Sequence, residues 1–551
     1  MTDRAGEFAV DEMPLVTRFA LAAENGGTLV FHGDGEPIRV TARALYDLAL
    51  ERAGTLRAAG IGRGDRVGVV GPNAPDWLAW MFATFLIGGT TVSIPIPLRV
   101  RDAEAVARQL GALVDGFECR AVATHERYER LLDPEVVIRW DDHSAENALD
   151  PADALVLDDD TYAGITTTSG STAAPKGVAR SYASMRQLSM GVYMNPQRRD
   201  IMRYLTFAPL SHAGGVGTTL GFFDPTIEVH VLPPERFARD PGEAFRVVSR
   251  YGINAMTGAS SAIGAALRSI ERHPEGIDLS SLMSLTLGYE MVDPAVVDRL
   301  YEVGPTFGLS ESAPKVMYGL SEGGGTGTGR MIHIDEVDLD SLVADGVARP
   351  PEAGRAVKRV VSCGVAGGSE LRIQGPDGPL PDREVGEIQF RGQTMDRYVG
   401  SGAEEAFADD RWLKTGDAGY IADGELFVTG RIKEVLIQQG KKYHPEDIEW
   451  AAARGAGRAP EECVAFALQG GNDGEIVVVI ESAPDATNDI EQRVRASVLN
   501  AVGISLRDVV FVAPDTLPKA SSGKAQRIRA RDMYARDELD LGSASDTRAP
   551  G

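Results

Sequence analysis

Cysteine is scarce in this chain. Three occur in 551 residues, Cys119, Cys363 and Cys463, with no CxxC pair among them. That argues against a disulfide framework or a zinc knuckle and fits a reducing, cytoplasmic setting. The eight histidines never fall in an HExxH or comparable ligand spacing. Basic charge is also in deficit: 56 Lys and Arg stand against 80 Asp and Glu, a net charge of −24. Nucleic acid is a poor partner for such a chain, because binding phosphate backbones needs a basic face. Long apolar runs are nearly absent. One uncharged stretch, WLAWMFATFLIGGTTVSIPIP at 77–97, has the length of a membrane span. Its second half holds Gly-Gly, Thr-Thr and two prolines, so it reads as helix, turn and β-branched strand. The amino terminus, MTDRAGEFAVDE, has no basic segment followed by an apolar run, so no signal peptide is expected.

What is present is an ordinary globular composition, 43% hydrophobic and 25% charged, in a chain long enough for two or three domains. Up to about residue 430, strand and helix patterns alternate. ARALYDLALERAGTLRAAG is an amphipathic helix ending at Gly60, DRVGVVG a buried strand, INAMTG and SLMSLTLG further strands, and PGEAFRVVSRYG and DPAVVDRLYEVG helices. Such alternation implies parallel sheets covered by helices. The cluster SEGGGTGTG at 321–329 reads as a flexible loop. From about 365 the texture turns strand-rich, and after Arg431 it alternates again, with PEDIEWAAARG starting a helix at Pro445. The expected fold class is α/β. A large part of helix-covered sheets over 1–430 includes a β-rich subdomain at about 365–430. A small, mobile α+β domain follows over 431–540, and then a disordered tail over 541–551.

The stretch TTTSGSTAAPKGV at 166–178 is too polar for core and too specific for a linker. Consecutive N–H groups in a Gly/Ser/Thr turn form an anion nest, and a lysine adds a point charge for phosphate. Composition alone leaves a solvated surface turn open. A mononucleotide loop of the GxxxxGK form followed by Ser or Thr fails on spacing.

The same stretch resembles the phosphate loop of the adenylate-forming superfamily, T-S-G-S/T-T-G-x-P-K-G, with Ala173 in place of one glycine. Four more segments follow in that superfamily's order. APLSHAGG at 208–215 resembles the acid-pocket segment. TFGLSES at 306–312 resembles Y-G-x-S/T-E, with Phe307 for tyrosine. WLKTGDAGYIADGELFVTGRIKEVLIQQGKKYHPEDIE at 412–449 resembles the T-G-D and G-R-x-K region, and LPKASSGKAQR at 517–527 the C-terminal lysine loop. The resemblance implies attack of a carboxylate on the α-phosphate of ATP with loss of pyrophosphate, a reaction served by positioning and charge neutralisation.

The resemblance also implies roles. Thr168, Ser169, Gly170, Ser171, Thr172 and Lys176 hold the β- and γ-phosphates, Glu311 holds Mg²⁺, and Ser310 touches the α-phosphate. Phe307 stacks on adenine, or is a core aromatic, or both. Asp417 accepts from the ribose hydroxyls, and Arg431 does the same or reaches a phosphate. Lys524 bridges carboxylate and α-phosphate, its alternative being a basic tail with Arg527, Arg529 and Arg531. Lys433 is the hinge of the small domain. His212 sits beside the acyl pocket or in a core turn. Gly288 and Tyr289 border the adenine site, and Gly258 and Ser260 the acid.

Within the superfamily, RVVSCGVAGGSELRIQGPDGPLPDREVGEIQFRG and GELFVTGRIKEVLI resemble fatty acyl-AMP ligases, and MIHIDEVDLDSLVADGVARP resembles the insertion of that branch. In that branch the insertion limits the domain motion coenzyme A needs, so the adenylate passes to another acceptor, commonly a carrier protein or a partner enzyme. Ser260, Ser261 and Ala262 stand where that branch is bulkier, which leads us to expect a wide or branched acid. An acidic carrier would need a local basic patch, expected near Arg527 to Arg531. The alternatives are a full acyl-CoA synthetase and a catalytically degenerate nucleotide-binding protein. The sequence does not give the oligomeric state.

Overall fold

The computed structural model describes residues 13–97, 102–167, 176–188, 202–328, 331–392, 394–400, 405–468, 475–482, 488–519 and 525–539. Two large sheets dominate. A nine-stranded sheet carries six parallel strands, in the spatial order Pro314–Gly319, Ser284–Gly288, Ala255–Ala259, Met202–Thr206, Ile227–Val231 and Thr28–Phe31, with antiparallel strands at both edges. A seven-stranded sheet holds five parallel strands, and the antiparallel pair Gly177–Ser181 and Arg397–Val399 closes one side. The expected β-rich region is a four-stranded antiparallel sheet running from Glu370–Gln374 to Glu425–Arg431.

The uncharged stretch forms the helix Pro75–Leu86 and the strand Thr90–Ser93, joined by Gly88 and Gly89. Proline opens the helix and Asp76 sits in its first turn, where the N-terminal dipole favours an acid. Trp77, Trp80 and Phe82 are buried between the two large sheets' helices, and Phe82 stacks on Phe19 at 4.0 Å. Among the described residues no helix is long and apolar enough to cross a membrane.

The cluster read as a flexible loop is different in the structure. Gly325–Gly327 is a strand, antiparallel to Met317–Gly319 and to Val365–Ala366. Side chains would crowd this tight return; a Cβ on Gly324, which has φ +75°, would lie 2.5 Å from the Phe390 ring. Residues 320–324 therefore form the bend of a hairpin at the carboxyl end of a parallel strand.

Away from that bend, His32 and His230 lie on adjacent strand ends with Nε2 and Nδ1 2.9 Å apart, and His230 Nε2 is 2.8 Å from Glu228 Oε1. Burial first, then His230, holds the His32 imidazole down at about 4. The unfolded chain takes up this proton near 6.5, so stability is lost as pH falls from about 6.5 to about 4. His32 alone contributes on the order of 3 kcal/mol to that loss. Denaturant unfolding at pH 7 and pH 4.5 should show a smaller drop for His32→Asn than for wild type. Equal drops would rule out the pair as the source.

Candidate active site

In open parallel sheets, ligands bind beyond the carboxyl ends of the strands. Here those ends deliver Tyr289 to Val292 and Met317 to Leu320 into one cleft. The four-stranded sheet contributes Asp417, Gly430 and Arg431 to it, and the small domain Glu446 and Trp450.

Asp417 and Arg431 face each other across neighbouring antiparallel strands, with Arg431 Nε 3.3 Å from Asp417 Oδ1. The Tyr318 hydroxyl donates to Asp417 Oδ2 at 2.7 Å. Burial, then the Asp417 charge, raises the Tyr318 phenol well above its ordinary range, so it stays protonated and donates. The Tyr318 ring stacks near Phe390, centroids 6.0 Å apart. Asp417 is thus a buried carboxylate held in place from two sides, suited to accept from hydroxyl groups of a ligand.

A second cluster forms at Lys176, just before the strand Gly177–Ser181. The Lys176 ammonium lies 3.6 Å from the centre of the Tyr398 ring, and the Tyr398 hydroxyl donates to Glu322 Oε1 at 2.6 Å. Arg180, buried on the same strand, donates to the Ser321 carbonyl at 3.0 Å. Arg431 feels Asp417 and also Glu322, so the two clusters belong to one electrostatic field.

Three of the expected residues lie away from the cleft. Phe307, Ser310 and Glu311 precede the strand Pro314–Gly319, at its amino end, whereas the cleft lies at its carboxyl end. Five steps of about 3.3 Å separate the two ends by about 17 Å. Phe307 packs against the core of the nine-stranded sheet, Ser310 and Ser312 share a hydrogen bond in a turn, and Glu311 is exposed. The segment Tyr318, Gly319, Leu320, Ser321, Glu322 carries the same Y-G-x-S/T-E pattern without a substitution and lies at the cleft. The sequence signal for it was present in full. Tyr398 and Arg180 had no such signal.

His212 caps the helix Ala213–Thr219, accepting from the Gly214 N–H at 3.2 Å, and meets Tyr289 edge-on with ring centroids 6.0 Å apart. Burial lowers the His212 pKa, so the ring is neutral. Tyr289 has φ +66° and borders the cleft. Gly288 lets two strands approach: a Cβ there would lie 2.8 Å from Met317 Cγ. Gly258 and Ser260 are both buried. A Cβ on Gly258 would lie 2.6 Å from the Phe207 ring, which is itself stacked on Phe237 at 4.2 Å. Ser260 is buried and its hydroxyl accepts from the Asp293 N–H at 3.2 Å. Thr168, Ser169, Gly170, Ser171, Thr172 and Lys524 lie outside the described residues.

Among the described residues no group of three or more His, Cys, Asp or Glu is placed to hold a metal. Magnesium at a nucleotide takes one or two carboxylates and completes its shell with phosphate oxygens and water. Glu322, a half-buried carboxylate joined to Lys176 through Tyr398, fits that demand; Glu311 is exposed at the far strand end.

A family profile described as "AMP-binding enzyme" matches residues 19–399. The chain belongs to the AMP-binding enzymes. A second profile, "Disco-interacting protein 2-like, AMP domain", matches residues 433–544. This AMP-binding enzyme is 27% identical to a 4-hydroxyphenylalkanoate adenylyltransferase of Mycobacterium tuberculosis, over 86% of this chain and 83% of that one. It is 26% identical to the long-chain-fatty-acid–AMP ligase FadD32 of Mycolicibacterium smegmatis, over 88% and 87% of the two chains. It also shares its fold with a structure from a study of fatty acyl-adenylate ligases of E. coli and L. pneumophila, at TM-score 0.83 and 24% identity, covering 96% of this chain and 99% of that one.

In this AMP-binding enzyme Lys433 is exposed in the short turn Ile432–Glu434, between Arg431 and the first strand of the small domain, Leu436–Gln438. The turn is hemmed in: Gly430 has φ +148°, and a Cβ there would lie 2.0 Å from the His444 ring. Of the basic patch expected near Arg527 to Arg531, Arg529 is exposed. Arg527 is enclosed by Glu434, Glu446 and Glu449, and Arg531 pairs with Asp532 at 3.0 Å.

Proposed function

We propose that this chain adenylates a carboxylic acid with an apolar body, using ATP and Mg²⁺, and hands the acyl-adenylate to an acceptor other than coenzyme A. The observation that carries the first half is the placing of Asp417 with Tyr318 and Arg431 in one field with Glu322 and Lys176. Asp417 would accept from the ribose hydroxyls, Lys176 would take the outer phosphates, and Glu322 would hold the metal ion. The ion would screen phosphate charge; the side chains would orient the nucleotide. Arg431 would favour negative charge beside the sugar. Lys524, from the small domain, would stabilise the charge that develops as carboxylate oxygen bonds to the α-phosphorus and pyrophosphate leaves. Lys433 would be the point about which the small domain turns.

The acid would enter beside His212 and Tyr289. A second, small hollow has Met81, Phe85, Met185 and Val216 in its wall beside Thr91, Ser93, Thr166 and Arg180, and also includes Ala213, the residue after His212. Its mostly apolar wall would favour the apolar part of an acid over its carboxylate. The fatty and hydroxyphenyl acids in the relatives' names fit that class.

The second half rests on the insertion. Its strand Ile334–Asp338 pairs with the strand Val357–Val361 that follows it, and Leu339 and Val343 pack into the small domain's own core with Leu436, Tyr443 and Ile448. Asp340 pairs with Lys441 at 2.6 Å, and the buried Lys358 with Asp447 at 2.6 Å. These contacts favour one orientation of the small domain, which supports an acceptor such as a carrier protein or a partner enzyme over coenzyme A. Mass spectrometry of purified protein with ATP, Mg²⁺ and linear, branched and aryl acids, with and without coenzyme A, tests the reading. Acyl-AMP should accumulate in both arms. Conversion to acyl-CoA would make the protein a synthetase, and no acid-dependent product would make it a nucleotide binder.

A further inference from the structure

Tyr398 sits on the strand Arg397–Val399, paired antiparallel with Gly177–Ser181 so that it stands opposite Val178. The strand is pinned on both sides of it. Asp396 accepts from the Ser181 N–H and the Ser184 hydroxyl, each at 2.6 Å, and the Arg397 guanidinium lies over the Tyr162 ring at 5.3 Å. Tyr398 is therefore fixed to the strand that emerges from Lys176. Its ring meets the Lys176 ammonium at 3.6 Å, and its hydroxyl donates to Glu322 at 2.6 Å.

We propose that Tyr398 is a positioning residue for nucleotide binding, presetting the Lys176 ammonium with its ring face and the Glu322 carboxylate with its hydroxyl. This rests on the adenylation reading above. Lysine and glutamate in direct contact would satisfy each other, and that ion pair would have to open whenever a polyphosphate arrived. A neutral ring attracts the ammonium through its quadrupole without cancelling its charge. A phenol O–H occupies one carboxylate oxygen and leaves the carboxylate its charge. Both long side chains also lose rotamer freedom before the ligand comes, so less is lost on binding. Arg180 holds the other end of the same bend through the Ser321 carbonyl, so the position of Glu322 is set from the strand that carries the lysine.

The two contacts can be separated by substitution. Tyr398→Phe keeps the ring under Lys176 and removes the hydroxyl from Glu322; Tyr398→Leu removes both. The measurement is calorimetric binding of a non-hydrolysable ATP analogue to the full chain, once in EDTA and once in Mg²⁺, with melting temperatures of the apo proteins alongside. Tyr398→Phe should bind as wild type does in EDTA and lose about tenfold of the affinity that Mg²⁺ adds. Tyr398→Leu should lose that increment too and bind about threefold more weakly in EDTA. Both variants should melt close to wild type. A Tyr398→Phe protein that keeps the full Mg²⁺ increment overturns the proposal. So do equal losses in EDTA and Mg²⁺ for both variants, which would mark a merely structural tyrosine. A wild type that binds no analogue in either buffer removes the adenylation reading and this proposal together, and is distinct from either result.

Discussion

Glu322→Gln should lower acid-dependent ATP–pyrophosphate exchange by about 10²–10³, while Glu311→Gln stays within about twofold of wild type. The two glutamates follow nearly identical strings, Phe-Gly-Leu-Ser and Tyr-Gly-Leu-Ser, eleven residues apart. Only their place on the strand differs. Glu322 lies beyond its carboxyl end, joined through Tyr398 to Lys176, and Arg431 in the cleft feels its charge. Glu311 is exposed at the amino end, next to a turn closed by Ser310 and Ser312. Glutamine keeps the shape at position 322 and can still accept from Tyr398, so the loss would report the missing charge on the metal side and not a collapsed loop. Equal melting temperatures for the two variants and wild type would confirm that the fold is intact. If Glu311→Gln proves the inactive one, the cleft at the carboxyl end is not the nucleotide site.

Local pattern was enough for most elements. The uncharged stretch became a helix, a turn and a strand because Gly-Gly and the β-branched run forced the break, and the helix after Pro445 begins where proline and acids placed it. Asp417 and Arg431 were legible as residues, and antiparallel register puts them opposite each other. What local pattern could not tell was which end of a strand a motif occupies. The strings ending at Glu311 and Glu322 are nearly identical in sequence, and the glycine cluster that holds Glu322 reads as a loop, though Gly325–Gly327 pairs with Met317–Gly319. The packing around the expected acid site was hidden for a related reason. Small residues at 258–262 say nothing of Phe207, which arrives from fifty residues away in the chain and fills the space at Gly258. Tyr398 carries no signal at all, since its importance comes from two partners in other segments.

The basic run at Arg527 shows the same limit, and it leads to the largest expected stability effect. Arg527→Ala should destabilise the chain by about 3–5 kcal/mol, because it strands buried carboxylates without their cation. The guanidinium donates to both oxygens of Glu449, each at 2.7 Å, pairs with Glu446 at 2.9 Å, and reaches Glu434 in the turn next to Lys433. Burial pushes the Glu449 carboxyl up, and the Arg527 charge is the main influence against it. Without that charge the carboxyl should rise further and bind a proton when folded. A folded pKa above the unfolded one favours the native state at low pH and loses that advantage as pH rises. The deficit of Arg527→Ala should therefore be smaller at pH 5 than at pH 8, and adding Glu449→Gln should recover part of it. Denaturant midpoints at the two pH values measure both effects. Because Glu434 lies in the turn that joins the two parts of the chain, limited proteolysis of the variant should cut there first. A loss under about 1 kcal/mol would return Arg527 to the class of exposed surface charges.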